Sequence, residues 1–166
     1  AGAARTSEAI HAAKNATLKI EAPVKINSVK LTGMQAHGVY AGIDSKITLK
    51  NLTIRNIRGD KDNAVGFNVY GVGTARDATL TVTEDVDISG VAGSAIYSSM
   101  IASGSTINIG GGKIVAEKDD TKEKNYWAVC AGKGSVFLNR EKNRDLTVVG
   151  NMYAGGTSDE YDGAID

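Results

Sequence analysis

One proline, one cysteine, one tryptophan and two histidines are spread through 166 residues, and each scarcity excludes something. A single cysteine rules out a disulfide within the chain. With only His11 and His37 as imidazoles, a thiol nucleophile or a zinc centre has few partners to draw on. Cys130 therefore reads as a small buried apolar residue. The 19 basic and 19 acidic residues cancel, which argues against nucleic acid as the main partner, since phosphate neutralisation needs a cationic surplus. No apolar run reaches the ~18 residues of a membrane-spanning helix. No secretory signal is recognisable, but a mature or excised fragment would have lost one. Helical periodicity is nearly absent. Only the Ala-rich stretch 2–14 suggests a short helix, either a cap on one end of the fold or a frayed chain end.

What the chain does have is glycine, 20 residues of it, and a weak internal repeat. Tyr40, Tyr70, Tyr97, Tyr126 and Tyr153 follow one another at intervals of 30, 27, 29 and 27. The segments Val39-Tyr40-Ala41-Gly42, Val69-Tyr70-Gly71-Val72, Ile96-Tyr97-Ser98-Ser99 and Met152-Tyr153-Ala154-Gly155 share one pattern, from which Asn125-Tyr126-Trp127-Ala128 departs. A repeat of this length changes the whole fold assignment.

Between the tyrosines lie short alternations of apolar and polar residues, the mark of half-buried strands. Leu18, Ile47, Leu80 and Ile107 are expected to form one inward column, with Phe137 continuing it. A second column reads Val24-Ile26-Val29, Leu52-Ile54-Ile57 and Val86-Ile88-Val91, with Ile114 and Leu146-Val148 as eroded later members. Three short strands per repeat, stacked repeat on repeat, is the wiring of a parallel β-helix. The expected fold is all-β, a single-stranded right-handed parallel β-helix of about five coils in one domain over 1–166. Residues 1–15 would be the cap or chain end, and 156–166 an incomplete last coil or tail. Glycine suits the tight corners. Proline would remove ladder donors from strands paired on both sides, and the only one, Pro23, falls between two strand candidates.

Motifs for known chemistry fail on inspection. Gly110-Gly111-Gly112 is followed by no Lys-Ser/Thr, so it is not a phosphate loop. Asp159, Glu160, Asp162 and Asp166 crowd the C-terminus, but the first position of a calcium loop would be Ser158, and the closing Glu would lie beyond residue 166. These residues, like Asp119-Asp120, read as solvated. Asn15-Ala16-Thr17 and Asn51-Leu52-Thr53 match a glycosylation triplet that is common by chance.

The segments 39–54 (VYAGIDSKITLKNLTI) and 104–114 (GSTINIGGGKI) resemble coils of autotransporter passenger domains, which share the pectin-lyase-like right-handed parallel β-helix. The resemblance covers most of residues 15–155. It implies an exported, extracellular segment of a bacterial cell-surface protein, acting in adhesion or self-association and tied to the outer membrane through a C-terminal region absent from this chain. It implies no cofactor, metal or catalysis. The partners implied are other copies of the chain or a host-surface protein or glycan. The same fold resembles pectate lyases and polygalacturonases, which leaves two alternatives: a carbohydrate-active enzyme and a glycan-binding spike without catalysis. Against the enzyme, His37-Gly38 lacks a preceding glycine, no pair of aspartates recurs at one coil position, and Arg55 and Arg58 have no carboxylate ladder beside them. The binding candidates are an exposed aromatic stripe of Tyr40, Tyr70, Tyr97, Tyr126, Trp127 and Tyr153. The other reading of these rings is that they stack on one another and stabilise the sheet. Self-association is expected through an end of the stack or through the face carrying Tyr40, Tyr97 and Tyr153.

Overall fold

The computed structural model describes residues 6–30, 35–58, 69–99, 103–117, 126–140, 142–155 and 163–166. The first pass of the chain makes β1 (Thr6–Ala12), β2 (Thr17–Ile20), β3 (Val24–Ile26) and β4 (Val29–Lys30). The second makes β5 (Gln35–Ala41), β6 (Lys46–Leu49), β7 (Leu52–Ile54) and β8 (Ile57–Arg58). Then come β9 (Val69–Thr74) with β10 (Thr79–Ile88), β11 (Ser94–Ser98) with β12 (Thr106–Val115), and β13 (Trp127–Ala131) with β14 (Ser135–Leu138) and β15 (Leu146–Val149). Last are β16 (Asn151–Ala154) and β17 (Ala164–Ile165).

These strands form a parallel β-solenoid. One face is a six-stranded sheet in the order β1-β5-β9-β11-β13-β16. A nine-stranded sheet wraps the rest of the core. Its strands β10 and β12 bend midway: the front half of β10 pairs with β6 and the back half with β7, and a register shift falls between Val82 and Asp85. A two-stranded sheet of β4 and β8 closes the section. All the pairings are parallel, because each strand lies beside its equivalent one repeat away.

Both apolar columns form in the expected register. Leu18 pairs with Ile47, Ile47 with Leu80, and Leu80 with Ile107. Ile26, Ile54, Ile88, Ile114 and Val148 run in a second line, and Leu52 pairs with Val86 beside it. Ile47, Leu80, Ile107, Ile54 and Ile88 are fully buried. Two expectations fail here. Val136, not Phe137, pairs with Ile107, and Phe137 sits beside Asn108 on the outer face. Strict alternation makes a one-residue slip a change of face. Residues 6–12 are a strand, not a helix, with β1 in register on β5 from Thr6↔Gln35 to Ala12↔Ala41. Alanine is the best helix former, but the preference is worth little per residue, and a full ladder with a buried neighbour overrides it.

The corners use asparagine and aspartate as much as glycine. Before successive strands of the long sheet, Asn15, Asp44, Asp77 and Gly104 take φ of 62°, 56°, 55° and 80°. Their amides donate upward in sequence: Asn15 N to Ile43 O, Asp44 N to Arg76 O, and Asp77 N to Ser103 O. Asn56 and Gly90, at φ 56° and 67°, form a second corner line. Asn and Asp tolerate the left-handed region better than other side-chain-bearing residues.

Across the core, size is matched from sheet to sheet. Gly38 and Gly71 lie in the six-stranded sheet. A Cβ on Gly38 would come within 2.9 Å of Ile54 Cδ1, and one on Gly71 within 3.1 Å of Ile88 Cγ2. The isoleucines of the long sheet fill the space that these glycines leave.

Candidate functional site

The tyrosines do not line up with one another in register. Tyr40 pairs with Gly73, Gly73 with Tyr97, Tyr97 with Cys130 and Cys130 with Tyr153. Tyr70 lies in a neighbouring line, beside His37 and Ser94. The rings nevertheless meet. Tyr70 stacks on His37 at 4.7 Å and 9°, and on Tyr97 at 4.1 Å and 2°. Tyr40 covers His37 at 4.6 Å and meets His11 edge-on at 5.9 Å. Trp127 and Tyr153 stack at 5.4 Å. Strand spacing in a parallel sheet, about 4.8 Å, is close to ring-stacking distance, so each ring covers its neighbour's face. Gly73 provides room: a Cβ there would lie 3.0 Å from the Tyr70 ring and 3.1 Å from that of Tyr40.

Two of the six residues of the expected exposed stripe, Tyr70 and Tyr97, are buried rather than exposed. Tyr70 and Tyr97 keep only 7% and 9% of their surface and form a second apolar cluster with Cys130, against which Trp127 and Tyr153 pack. Tyr40, Tyr126, Trp127 and Tyr153 are half-buried. Every residue of β9 and β11 is buried, so the middle of this sheet is covered on both faces and alternation misreads it there. A self-association face of Tyr40, Tyr97 and Tyr153 loses its central member. Burial pushes the Cys130 thiol up to about 12 and raises the Tyr70 phenol well above its usual range, so neither is poised as a nucleophile.

At the foot of the ladder, His37 is 1% exposed, with Nδ1 3.1 Å from Glu8 Oε1. His11 Nδ1 lies 2.6 Å from the other oxygen of Glu8. Among the described residues His37 Nε2 has no hydrogen-bond partner. The contact with Glu8 assigns the neutral tautomer with its proton on Nδ1. Burial lowers the pKa of His37 from its ordinary value, against the smaller opposing pull of Glu8. The neutral form is thus favoured by the fold, and its contribution is complete above the unfolded pKa of about 6.5 and is lost as pH falls below it. Glu8, His11, Tyr40 and Tyr70 are the titratable groups facing it. We expect the melting temperature to drop between about pH 7.5 and pH 5.5. His37→Phe, which keeps a ring in the stack, should flatten that drop. An unchanged slope in the variant would remove His37 as its source.

The outer face of the long sheet holds a groove of about 380 Å³, within the size range of small-ligand sites. Outward residues of successive strands form the column Lys19, Thr48, Thr81, Asn108 and Phe137. The groove lies over its upper part, with Thr81 and Thr83 on one side, Asn108 and Gly110 beneath, and Phe137, Arg140 and Asn143 opposite. The Arg140 guanidinium lies 4.7 Å over the Phe137 ring. Asn108 Nδ2 donates to Thr81 Oγ1 at 3.1 Å.

The far wall belongs to the turn after β14, and that turn is pinned. Asn139 and Lys142 take φ of 53° and 52°. Lys142 N donates to Asn139 O at 2.8 Å, and the Asn139 side-chain amide donates to Arg144 O. Arg144 Nη1 donates to Asp85 Oδ2 at 2.9 Å, and Gly112 N donates to Asp145 O at 2.7 Å. The nearest acids on β10 are already engaged. Asn51 donates to Glu84 at 2.9 Å and holds its carboxyl below the usual range, helped by the charges of Lys50 and Arg144. Farther along the same outer surface, Arg55 pairs with Asp87 and Arg58 with Glu117.

Sequence reading missed this groove. The spacing places Phe137 in the inward column, and Thr81, Asn108 and Arg140 come from separate repeats with no local motif. The one available signal was that Phe137 and Asn139 share a face in alternation, which places the aromatic beside polar neighbours. Among the described residues no three His, Cys, Asp or Glu side chains gather as a metal would require. The acidic cluster Asp159, Glu160 and Asp162 lies outside the described residues. Among the described residues no helix is long and apolar enough to cross a membrane.

Fold and geometry together define a parallel β-solenoid with a repeat architecture. Comparison with family models, curated proteins and solved structures finds no match to this chain.

Proposed function

We propose that this chain is a non-catalytic, extracellular β-solenoid segment of a bacterial cell-surface protein, working in adhesion and self-association with copies of itself. The observation that carries the reading is an apolar core column whose last described member is exposed. Ile10, Val39, Val72, Ile96, Val129 and Met152 are linked in unbroken parallel register. Val39, Val72, Ile96 and Val129 are fully buried, whereas Met152 is 55% exposed. Among the described residues β1 and β16 are the outermost strands of the six-stranded sheet, β1 pairing with β5 and β16 with β13. An outermost strand beside an exposed apolar side chain is a template for another chain. The edge of β16 fits the edge of β1 on a second copy, with Met152 covering Ile10. Such a head-to-tail contact does not close on itself and yields short linear oligomers.

Sedimentation across a concentration series tests this. We expect oligomers to grow with concentration and to be reduced by Met152→Lys or Ile10→Lys, each of which puts a charge in the contact. Near-zero net charge offers little general repulsion at neutral pH. A strict monomer at high micromolar concentration, or association untouched by both variants, would reject the end-to-end contact.

A further inference from the structure

We propose that the outer groove between Thr81 and Arg140 binds a short saccharide carrying a carboxylate. The inference is independent of how copies of the chain associate, since the groove lies on the flank of the solenoid and not at its ends. Its chemistry is one-sided. A guanidinium, two side-chain amides and two threonine hydroxyls converge on it, and none of its described lining residues is an acid. Among the described residues Arg140 has no carboxylate partner; its recorded neighbour is the Phe137 ring. A guanidinium laid on an aromatic ring is held in a plane and keeps its edge donors free. That edge matches the two oxygens of a carboxylate.

The remaining groups suit the rest of a sugar. Asn108 has an amide that both donates and accepts, and Thr81 and Thr83 add hydroxyls that do the same. Alternating hydroxyl groups on a pyranose need such two-way partners. Phe137 gives the apolar edge on which a sugar's C–H face rests. Gly110 keeps the floor low, since a Cβ there would lie 2.6 Å from Thr83 O and 2.7 Å from Glu84 O. A groove of about 380 Å³ takes one or two sugar rings. The wall carrying Arg140 is fixed by the Arg144–Asp85 and Gly112–Asp145 bonds, so the guanidinium is presented by a braced turn. A site held by its own hydrogen bonds spends less entropy on ordering when it binds.

Titration calorimetry on the intact chain tests the proposal with three probes: sialyllactose, a glucuronate-containing disaccharide, and lactose as the neutral control. We expect one or both carboxylated sugars to bind and lactose to bind about tenfold more weakly or worse, the usual effect of losing a charged hydrogen bond. Arg140→Ala should cost about tenfold, and Arg140→Lys should recover only part, because an ammonium lacks the planar fork. Phe137→Ala should weaken binding as well. Arg140 is exposed, so its variants should retain the wild-type melting temperature and report on binding alone. Absence of binding by both carboxylated sugars at millimolar concentration would overturn the proposal. So would equal binding of lactose, or affinity unchanged in Arg140→Ala. Preference for one carboxylated sugar over the other would identify which kind of acidic sugar the groove takes.

Discussion

Gly112→Ala is expected to destabilise the protein by about 3 kcal/mol or more, the sum of a backbone forced into a region that side chains avoid and of overpacking. Gly112 lies in the middle of β12 with φ of 105°. It takes its place in the column that holds Leu52 and Val86 on one side and Leu146 on the other. A Cβ would sit 2.0 Å from Val86 O and 2.7 Å from Val86 N. Both are backbone atoms locked in a ladder, so neither can turn aside as a side-chain tip would. Urea denaturation checks this, and for a chain of this size the melting temperature should fall by about 6–12 °C. A melt within a degree or two of wild type would show that β12 can straighten at this point.

Ile54→Ala should cost about 2–5 kcal/mol, the range for truncating a buried branched side chain. Ile54 is fully buried between Ile26 and Ile88 in its column, and its Cδ1 reaches across to Gly38. The facing residue has no side chain to swing into the void, and Gly38 is itself held 2.6 Å (from its would-be Cβ) beneath Gly71 O. The cavity therefore stays open. Ile54→Val, which deletes one methylene, should cost about 0.5–1.5 kcal/mol. Equal losses for the two variants, measured by chemical denaturation, would mean that the core collapses around the site.

The two apolar columns were legible because each link needs only alternation and a step of one repeat. Leu18, Ile47, Leu80 and Ile107 obey both, and the ladder pairs them as read. Phe137 obeyed the step but not the phase, and one residue of slip turned it outward. The tyrosines misled for a related reason. Their spacing counts whole loops as well as strands, so equal intervals do not mean equal heights. Tyr40 lies opposite Gly73, not Tyr70. Their inward or outward sense was unreadable too, because the central strands β9 and β11 are buried on both faces and alternation there carries no information.

Corner chemistry was half legible. Glycine content pointed to left-handed corners, but Asn15, Asp44, Asn56 and Asp77 occupy several of them, and nothing in the apolar pattern marks those positions. The groove was the least legible feature. Thr81, Asn108 and Phe137 touch only because three strands align at one height, and Arg140 arrives from a turn whose path depends on Arg144 reaching Asp85. Contacts between side chains so far apart in sequence leave no trace along it.

The corner columns and in-register ladders carry a consequence for how the chain is built. Each strand finds its mate about one repeat away, whether it lies low or high in the stack. The loop to be closed is thus nearly the same at every step, and so is its entropic toll. A finished pass is a template, complete in its hydrogen bonds and its apolar row, on which the next length of chain can be laid. Assembly is then a zipper with uniform teeth, able to start at any rung and to advance as chain becomes available, with no distant partner to wait for.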